Sequence, residues 1–347
     1  MLTSFDALPE GFLQASARTL HQCLPGPALI HLPGRRPEPL FVSVMLHGNE
    51  DTGLKAIQQV LRHYSHRPLP RALSLFVGNV TAAREGMRRL DGQPDYNRVW
   101  PGTDTASCAE TALMAQVTAA MRARRVFASI DIHNNTGLNP HYGCVNRLDP
   151  RYLHLARLFS RIVVYFTQPR GVQSAAFARF CPAVTVECGK PGVAAAEHHA
   201  AEFVDAALHL DHFPEHPVPA HDIDLYRTIG VAAIPEAVHF SFREAADLVL
   251  PADLDQLNFR DVPAGTSFGR VNRSGTLPLS VHNGDRQVAA DYFAIHEGEL
   301  RTIRPLMPAM LTLDERVIRQ DCLCYIMERL PYPLPTQMAR ALDEVEG

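Results

Sequence analysis

Phe41-Val42-Ser43-Val44-Met45-Leu46 carries no charge and runs directly into His47-Gly48-Asn49-Glu50. The apolar run reads as a buried strand. A helix-like segment follows from Leu54 to about His63. An imidazole and a carboxylate three residues apart at the mouth of a strand can both reach one metal ion. A second run, Val126-Phe127-Ala128-Ser129-Ile130-Asp131-Ile132, ends in another histidine, His133. Two nitrogens, one carboxylate and an open fourth position form the ligand set of a catalytic zinc site. The expected ligands are His47, Glu50 and His133, around one zinc ion per chain. Another divalent ion can use the same donors.

Outward from this stretch, the first two thirds of the chain alternate strand-like and helix-like segments. Strands are expected at Leu40–Leu46, Ser74–Gly78, Val126–Ile132, Ile162–Phe166 and Ala183–Glu187, and helices at Leu54–His63, Ala109–Arg124 and Pro150–Ser160. Short apolar strands separated by helices imply an α/β layer with a largely parallel sheet. Such sheets bind ligands at the carboxyl ends of their strands, where His47, His133 and Glu187 all fall. The proline-rich stretch from His212 to Pro219 reads as a linker. Beyond it, Tyr226–Ile234, Val238–Phe242, Ser267–Val271, Gln287–Ile295 and Cys322–Met327 read as short strands, with a closing helix at Pro335–Val345. The expected division is a catalytic domain over 1–221 and a smaller β-rich domain over 222–347.

Bulk properties narrow the function. A chain of 347 residues that is 46% hydrophobic can build one large core or two ordinary ones. A net charge of −4 gives no strong attraction to nucleic acid or to an anionic membrane. The seven cysteines contain no CxxC pair, which suggests reduced thiols in a cytoplasm; Cys181 and Cys188 read as small core residues. The start Met1-Leu2-Thr3-Ser4-Phe5-Asp6 is not that of a signal peptide, and no apolar run reaches the length of a membrane span. A homo-oligomer is left open.

An HxxE spacing by itself decides little. It recurs at His199–Glu202, His212–Glu215 and His296–Glu299, where surface side chains are the ordinary explanation. His47 differs in ending a strand, preceding a helix and having a second strand-ending histidine as partner. Arg84, Arg88, Arg89 and Arg98 follow the strand that ends at Gly78. Guanidinium binds a carboxylate bidentately, so such a cluster suits a carboxylate-bearing substrate; a solvated helix face is the bland alternative. Asn97-Arg98 sits in a loop and favours the binding role. Glu187 ends the strand Ala183-Val184-Thr185-Val186 beside Cys188-Gly189-Lys190. It suits a general base, with a structural pairing to Lys190 as the alternative.

The motifs His47-Gly48-Asn49-Glu50, Asp95-Tyr96-Asn97-Arg98, Asp131-Ile132-His133-Asn134 and Glu187-Cys188-Gly189, in this order, resemble the succinylglutamate desuccinylase/aspartoacylase family, a branch of the zinc carboxypeptidase-like folds. The resemblance covers about residues 40–195. It implies a mixed, largely parallel sheet flanked by helices and a β-rich C-terminal domain. It implies zinc on His47, Glu50 and His133, Glu187 as proton shuttle, and Asn97 and Arg98 as binders of a substrate carboxylate. Arg89 or Arg88 takes the place of the family arginine that polarises the scissile carbonyl. Arg179, with Arg170 as rival, takes that of a further carboxylate-binding arginine. Tyr292 and Tyr325 are candidates for a substrate-contacting tyrosine.

Gly265-Thr266-Ser267-Phe268-Gly269 has the GxSxG form of a serine hydrolase, but Asp261-Val262-Pro263-Ala264 before it is no buried strand, so a turn region is expected. The expected activity is zinc-dependent hydrolysis of an amide bond in a small carboxylate-bearing molecule, an N-acyl amino acid. A metallocarboxypeptidase acting on peptides and a non-catalytic metal- or ligand-binding protein are the alternatives.

Overall fold

The computed structural model describes residues 2–272, 276–335, 338 and 342. The chain divides into two compact units. The first is formed by Met1–Asn134, His141–Leu225 and Pro331–Gly347, the second by Asn135–Pro140 and Tyr226–Leu330. The main division thus lies four residues beyond the expected one, and a short loop after His133 groups with the second unit.

The first unit holds strands β1 (Thr3–Phe5), β2 (Ala28–Leu32), β3 (Gly34–Val44), β4 (Leu69–Val77), β5 (Ala128–His133), β6 (Tyr142–Val145), β7 (Ile162–Tyr165) and β8 (Ala183–Glu187). Its helices are α1 (Thr52–His63), α2 (Val80–Glu85), α3 (Ala109–Ala123), α4 (Pro150–Phe159), α5 (Gln173–Phe177) and α6 (Ala194–His209). The strands lie in the order β1-β2-β4-β3-β5-β8-β6-β7. The pairs β3–β4, β3–β5, β5–β8 and β6–β7 are parallel, whereas β2–β4 and β6–β8 are antiparallel. The sheet is therefore mixed and largely parallel, flanked by helices. The centre is buried on both faces, since residues 128–133 of β5 and 183–187 of β8 are buried throughout. This is the pattern of a sheet covered on both sides.

The expected strands and helices appear with boundaries shifted by a few residues. Strands β1, β2 and β6 and helices α2 and α5 are additional. All are short, and neighbours distant in sequence supply the ladders of the three strands. Trp100 is fully buried, edge-on to Phe76 at 5.8 Å and to Phe177 at 5.9 Å, and Phe177 stacks on Phe41 at 4.4 Å. These rings pin the segment after Asn97-Arg98 and α5 onto one another and onto β3 and β4.

In the second unit, residues 226–233 of the strand Asp224–Ala233 pair antiparallel with Cys324–Arg329 and with Ser280–Asn283. A separate five-stranded sheet runs Phe240–Ser241, Leu248–Val249, Ser267–Val271, Glu299–Thr302, Phe293–His296. A core of Phe240, Leu250, Phe268, Phe293, Leu300 and Ile326 fills the unit. The expected strand Gln287–Ile295 is broken by a 3-10 turn at Ala289–Asp291. Ser267 opens a strand and pairs with Arg301, which is a different local structure from a hydrolase elbow. The expected helix Pro335–Val345 lies largely outside the described residues.

Candidate metal centre

β3 ends at Val44, and Met45 takes a left-handed conformation with φ 59°. That is costly for a side-chain-bearing residue. It throws His47–Glu50 off the strand end toward β5. Gly48 allows the next step. A Cβ there would lie 2.2 Å from the Ala83 nitrogen, and the Gly48 amide donates to the Arg88 carbonyl at 3.0 Å. The loop after α2 is thereby clamped against the histidine turn, with the Arg88 side chain beside Glu50.

His47, Glu50 and His133 are all buried, and one potential ligand atom from each lies within 4.8 Å of the others. His47 Nδ1 is 2.8 Å from Glu50 Oε1, and His133 Nδ1 is 2.9 Å from Glu50 Oε2. The opposite ring nitrogens are occupied. His47 Nε2 donates to Asp95 Oδ1 at 2.9 Å and His133 Nε2 to Asp131 Oδ2 at 2.8 Å. A carboxylate on Nε2 fixes the tautomer and leaves the Nδ1 lone pair for a metal. Asp131 accepts in turn from Ser43 Oγ at 2.5 Å. Asp131 and His133 share a face of β5 because strand side chains repeat every two residues.

Two observations test whether these residues fit a cation. His47 Nδ1 is buried and has no hydrogen-bond partner despite its closeness to Glu50. Three carboxylates converge here, the buried Glu50 and Asp131 and the largely buried Asp95, and Arg88 supplies one guanidinium, to Glu50 Oε1 at 3.2 Å and to Asp95 Oδ2 at 3.1 Å. With both imidazoles neutral the cluster carries excess negative charge, which a divalent ion offsets. The donors are those of a three-ligand site with an open position.

Without a metal, protons take up part of that charge. Burial pulls the His133 imidazole toward neutrality, but Asp131 and Glu50 outweigh it and raise its pKa well above the usual histidine range. Burial and Arg88 oppose the charge on His47, yet Asp95 and Glu50 prevail and its pKa also rises. Burial disfavours ionisation of Glu50 and Asp95, but His47 and the other neighbouring donors hold both carboxyls below their usual range.

Glu187 is buried and stands in register with His133 on the adjacent strand, while Lys190 is exposed. The Cys188 amide donates to the His133 carbonyl at 2.9 Å. Asn134 binds three parts together: its amide donates to Glu50 Oε2 at 3.1 Å, and its side chain to Thr52 Oγ1 at 2.9 Å and to the Gly189 carbonyl at 2.8 Å. Asn97 is buried, with Nδ2 3.3 Å from His133 Nε2 and Oδ1 accepting from the Gln173 amide at 2.9 Å. Arg98 is half-buried and donates to the Asn97 carbonyl at 2.9 Å.

Of the two arginines expected near the carbonyl, Arg88 joins the cluster, whereas Arg89 donates to the Gln93 carbonyl at 2.9 Å. Arg170 and Arg179 are exposed and line a cavity whose walls include none of His47, Glu50, His133, Glu187, Asn97 or Arg98. Tyr292 and Tyr325 belong to the second unit. Sequence reasoning gave no role to Asp95, Asp131 or Asn134 on their own. The usable signal was Asp131 two residues before His133 on one strand.

Fold and site together define a carboxypeptidase-like α/β domain carrying a buried set of two histidines and a carboxylate. Residues 38–210 match the model of the succinylglutamate desuccinylase/aspartoacylase catalytic domain, and the chain belongs to that family. Succinylglutamate desuccinylase from Chromobacterium violaceum aligns at TM-score 0.54 and 16% identity, over 86% of this chain and 87% of that one. Murine aminoacylase 3 aligns at 0.54 and 15%, over 85% and 96%. The product-bound ectoine utilization protein EutE from Ruegeria pomeroyi aligns at 0.55 and 14%, over 87% and 88%. At such identities these likenesses speak to the fold. No curated protein matches the chain by sequence.

Proposed function

We propose that this chain is a zinc-dependent hydrolase that cleaves the amide bond of a small N-acyl amino acid. The observation that carries the reading is the convergence of His47, Glu50 and His133 with Glu187 in register beside His133. The family match and the names of the aligned structures, two of them acyl-amino-acid hydrolases by name, support the reaction class.

His47, Glu50 and His133 would hold the ion. When bound, zinc makes water a stronger acid at neutral pH and polarises a carbonyl oxygen. Glu187 accepts the proton of the attacking water and delivers it to the departing amine. Arg88 stabilises negative charge developing at the carbonyl oxygen. Asn97 and Arg98 grip a substrate carboxylate and so fix the amide against Glu187. Asp95 and Asp131 keep both imidazoles in the metal-binding tautomer.

Among the described residues no helix is long and apolar enough to cross a membrane. The seven cysteines form no disulfide, which supports a reducing compartment, and we place the protein in the cytoplasm, acting on a small-molecule carboxylate.

The test combines metal analysis of the purified protein with amine release from a panel of N-acyl amino acids and short peptides. Stoichiometric zinc with release from acyl amino acids is the expected result. Release from peptides alone would make the protein a carboxypeptidase. Bound metal with no hydrolysis anywhere on the panel would make it a binding protein.

A further inference from the structure

The first unit contains a cavity of about 570 Å3 that the proposed reaction does not use. Arg147, Arg170 and Arg179 reach it from three segments: the turn after β6, the turn after β7 and the end of α5. Its lining contains no carboxylate. In a chain of net charge −4 this is a local concentration of positive charge.

Strand direction separates the cavity from Glu187. β6 runs antiparallel to β8, with Tyr142 opposite Glu187 and Cys144 opposite Thr185. The chain therefore leaves β6 toward the start of β8. From Ala183 to Glu187 is about 13 Å at roughly 3.3 Å per residue, so Asn146 and Arg147 emerge at the far end of the sheet from the catalytic carboxylate.

The lining is built for a polar ligand. Gly102 has φ 99°, and a Cβ there would lie 2.9 Å from Arg179 Nη2, so bare backbone lets that guanidinium pass close. Arg170 donates to Asp104 Oδ1 at 3.2 Å, an exposed pair that an entering anion can displace. Arg147 donates to the Ala178 carbonyl at a long 3.4 Å. Asn146 donates from Nδ2 to the Phe166 carbonyl at 3.0 Å, while its Oδ1 is buried with no hydrogen-bond partner. An acceptor left without a donor costs free energy that a ligand hydroxyl or amine recovers.

We infer that this cavity binds a small polyanion carrying two or more carboxylate or phosphate groups and at least one hydroxyl or amine. The arginines take the anionic groups through charge-assisted, partly bidentate bonds, and Asn146 takes the donor. The inference is independent of the reading of the metal set, because its readout is binding.

Isothermal titration calorimetry of the full-length protein tests it with malate and citrate as hydroxycarboxylates, glucose 6-phosphate as the phosphate arm, and succinate as the carboxylate without a donor. The expected result is binding of at least one hydroxylated anion in preference to succinate. Arg147→Ala, Arg170→Ala and Arg179→Ala should each weaken it about tenfold or more, and Arg98→Ala should leave it unchanged. Circular dichroism and metal content establish that each variant is folded. No binding of any probe at millimolar concentration overturns the proposal, as do arginine variants that bind like the wild type. Loss of binding in Arg98→Ala would place the anion in the catalytic pocket and overturn it equally.

Discussion

His133 and Glu187 are register partners at the carboxyl ends of the parallel strands β5 and β8. A sheet ladder, not a loop, fixes their spacing, so the proposed ligand and the proposed base are held together before any substrate arrives. Glu187→Gln should therefore retain bound metal and lose about 10²–10⁴-fold in kcat. Metal analysis alongside steady-state rates checks this. Near-normal turnover on a verified substrate would remove Glu187 from the mechanism.

Arg88 and Arg89 should separate cleanly. Arg88 is buried and bonded to Glu50 and Asp95, so Arg88→Ala leaves buried carboxylates without their cation. A cost of about 3–5 kcal/mol in metal-free stability is expected, with a fall in kcat. Arg89 bonds to a backbone carbonyl, and Arg89→Ala should cost about 1 kcal/mol with activity largely kept. Urea melts of the two variants, read beside their rates, decide between them.

Asp131→Asn should weaken metal binding about 10–100-fold, because the carboxylate on His133 Nε2 sets tautomer and basicity. Competition with a chromophoric chelator measures it. An unchanged affinity would mean that Asp131 serves only packing and its bond to Ser43.

Gly171 packs against the backbone of Arg98, one of the two residues proposed to grip the substrate. Its φ is 74°, a Cβ would lie 2.5 Å from the Arg98 carbonyl oxygen, and its own carbonyl accepts from the Trp100 amide at 3.0 Å. Gly171→Ala should cost about 1–3 kcal/mol of stability and raise KM more than it lowers kcat. Equal changes in both parameters would count against a positioning role.

Cys188 should be inert. Burial raises its thiol pKa well above the usual range, and Glu187 and Glu50 add to the effect. A higher pKa means less thiolate at a given pH. Alkylation of the native protein at pH 8 should spare Cys188, whereas the unfolded chain should label there. Rapid native labelling read by peptide mass would contradict the buried site described.

Much of the architecture was legible in the residues. The run Phe41–Leu46 is apolar because β3 is covered on both faces, and Ala183–Glu187 matches β8 residue for residue. The short strands β2 and β6 were not legible, because pairing partners distant in sequence create them. The end of the strand at Gln287 was hidden as well, since hydrophobic content does not reveal a 3-10 turn.

Local order therefore determined most element types, the strand-end placement of His47, His133 and Glu187, and the donor chemistry of the candidate metal set. Periodicity and side-chain identity act within a few residues, so one chain suffices to read them. Tertiary structure alone decided that Arg88 joins the metal set while Arg89 turns away, that Asp95 and Asp131 hold the two imidazoles, and that Arg170 and Arg179 meet Arg147 in a cavity of their own. Gly48 contributes to the first of these, because its amide holds the Arg88 backbone against the turn that carries His47. Asp95 meets His47 across 48 residues and Arg88 meets Glu50 across 38, and no local pattern encodes those pairs, whereas Asp131 and His133 lie two apart on one strand.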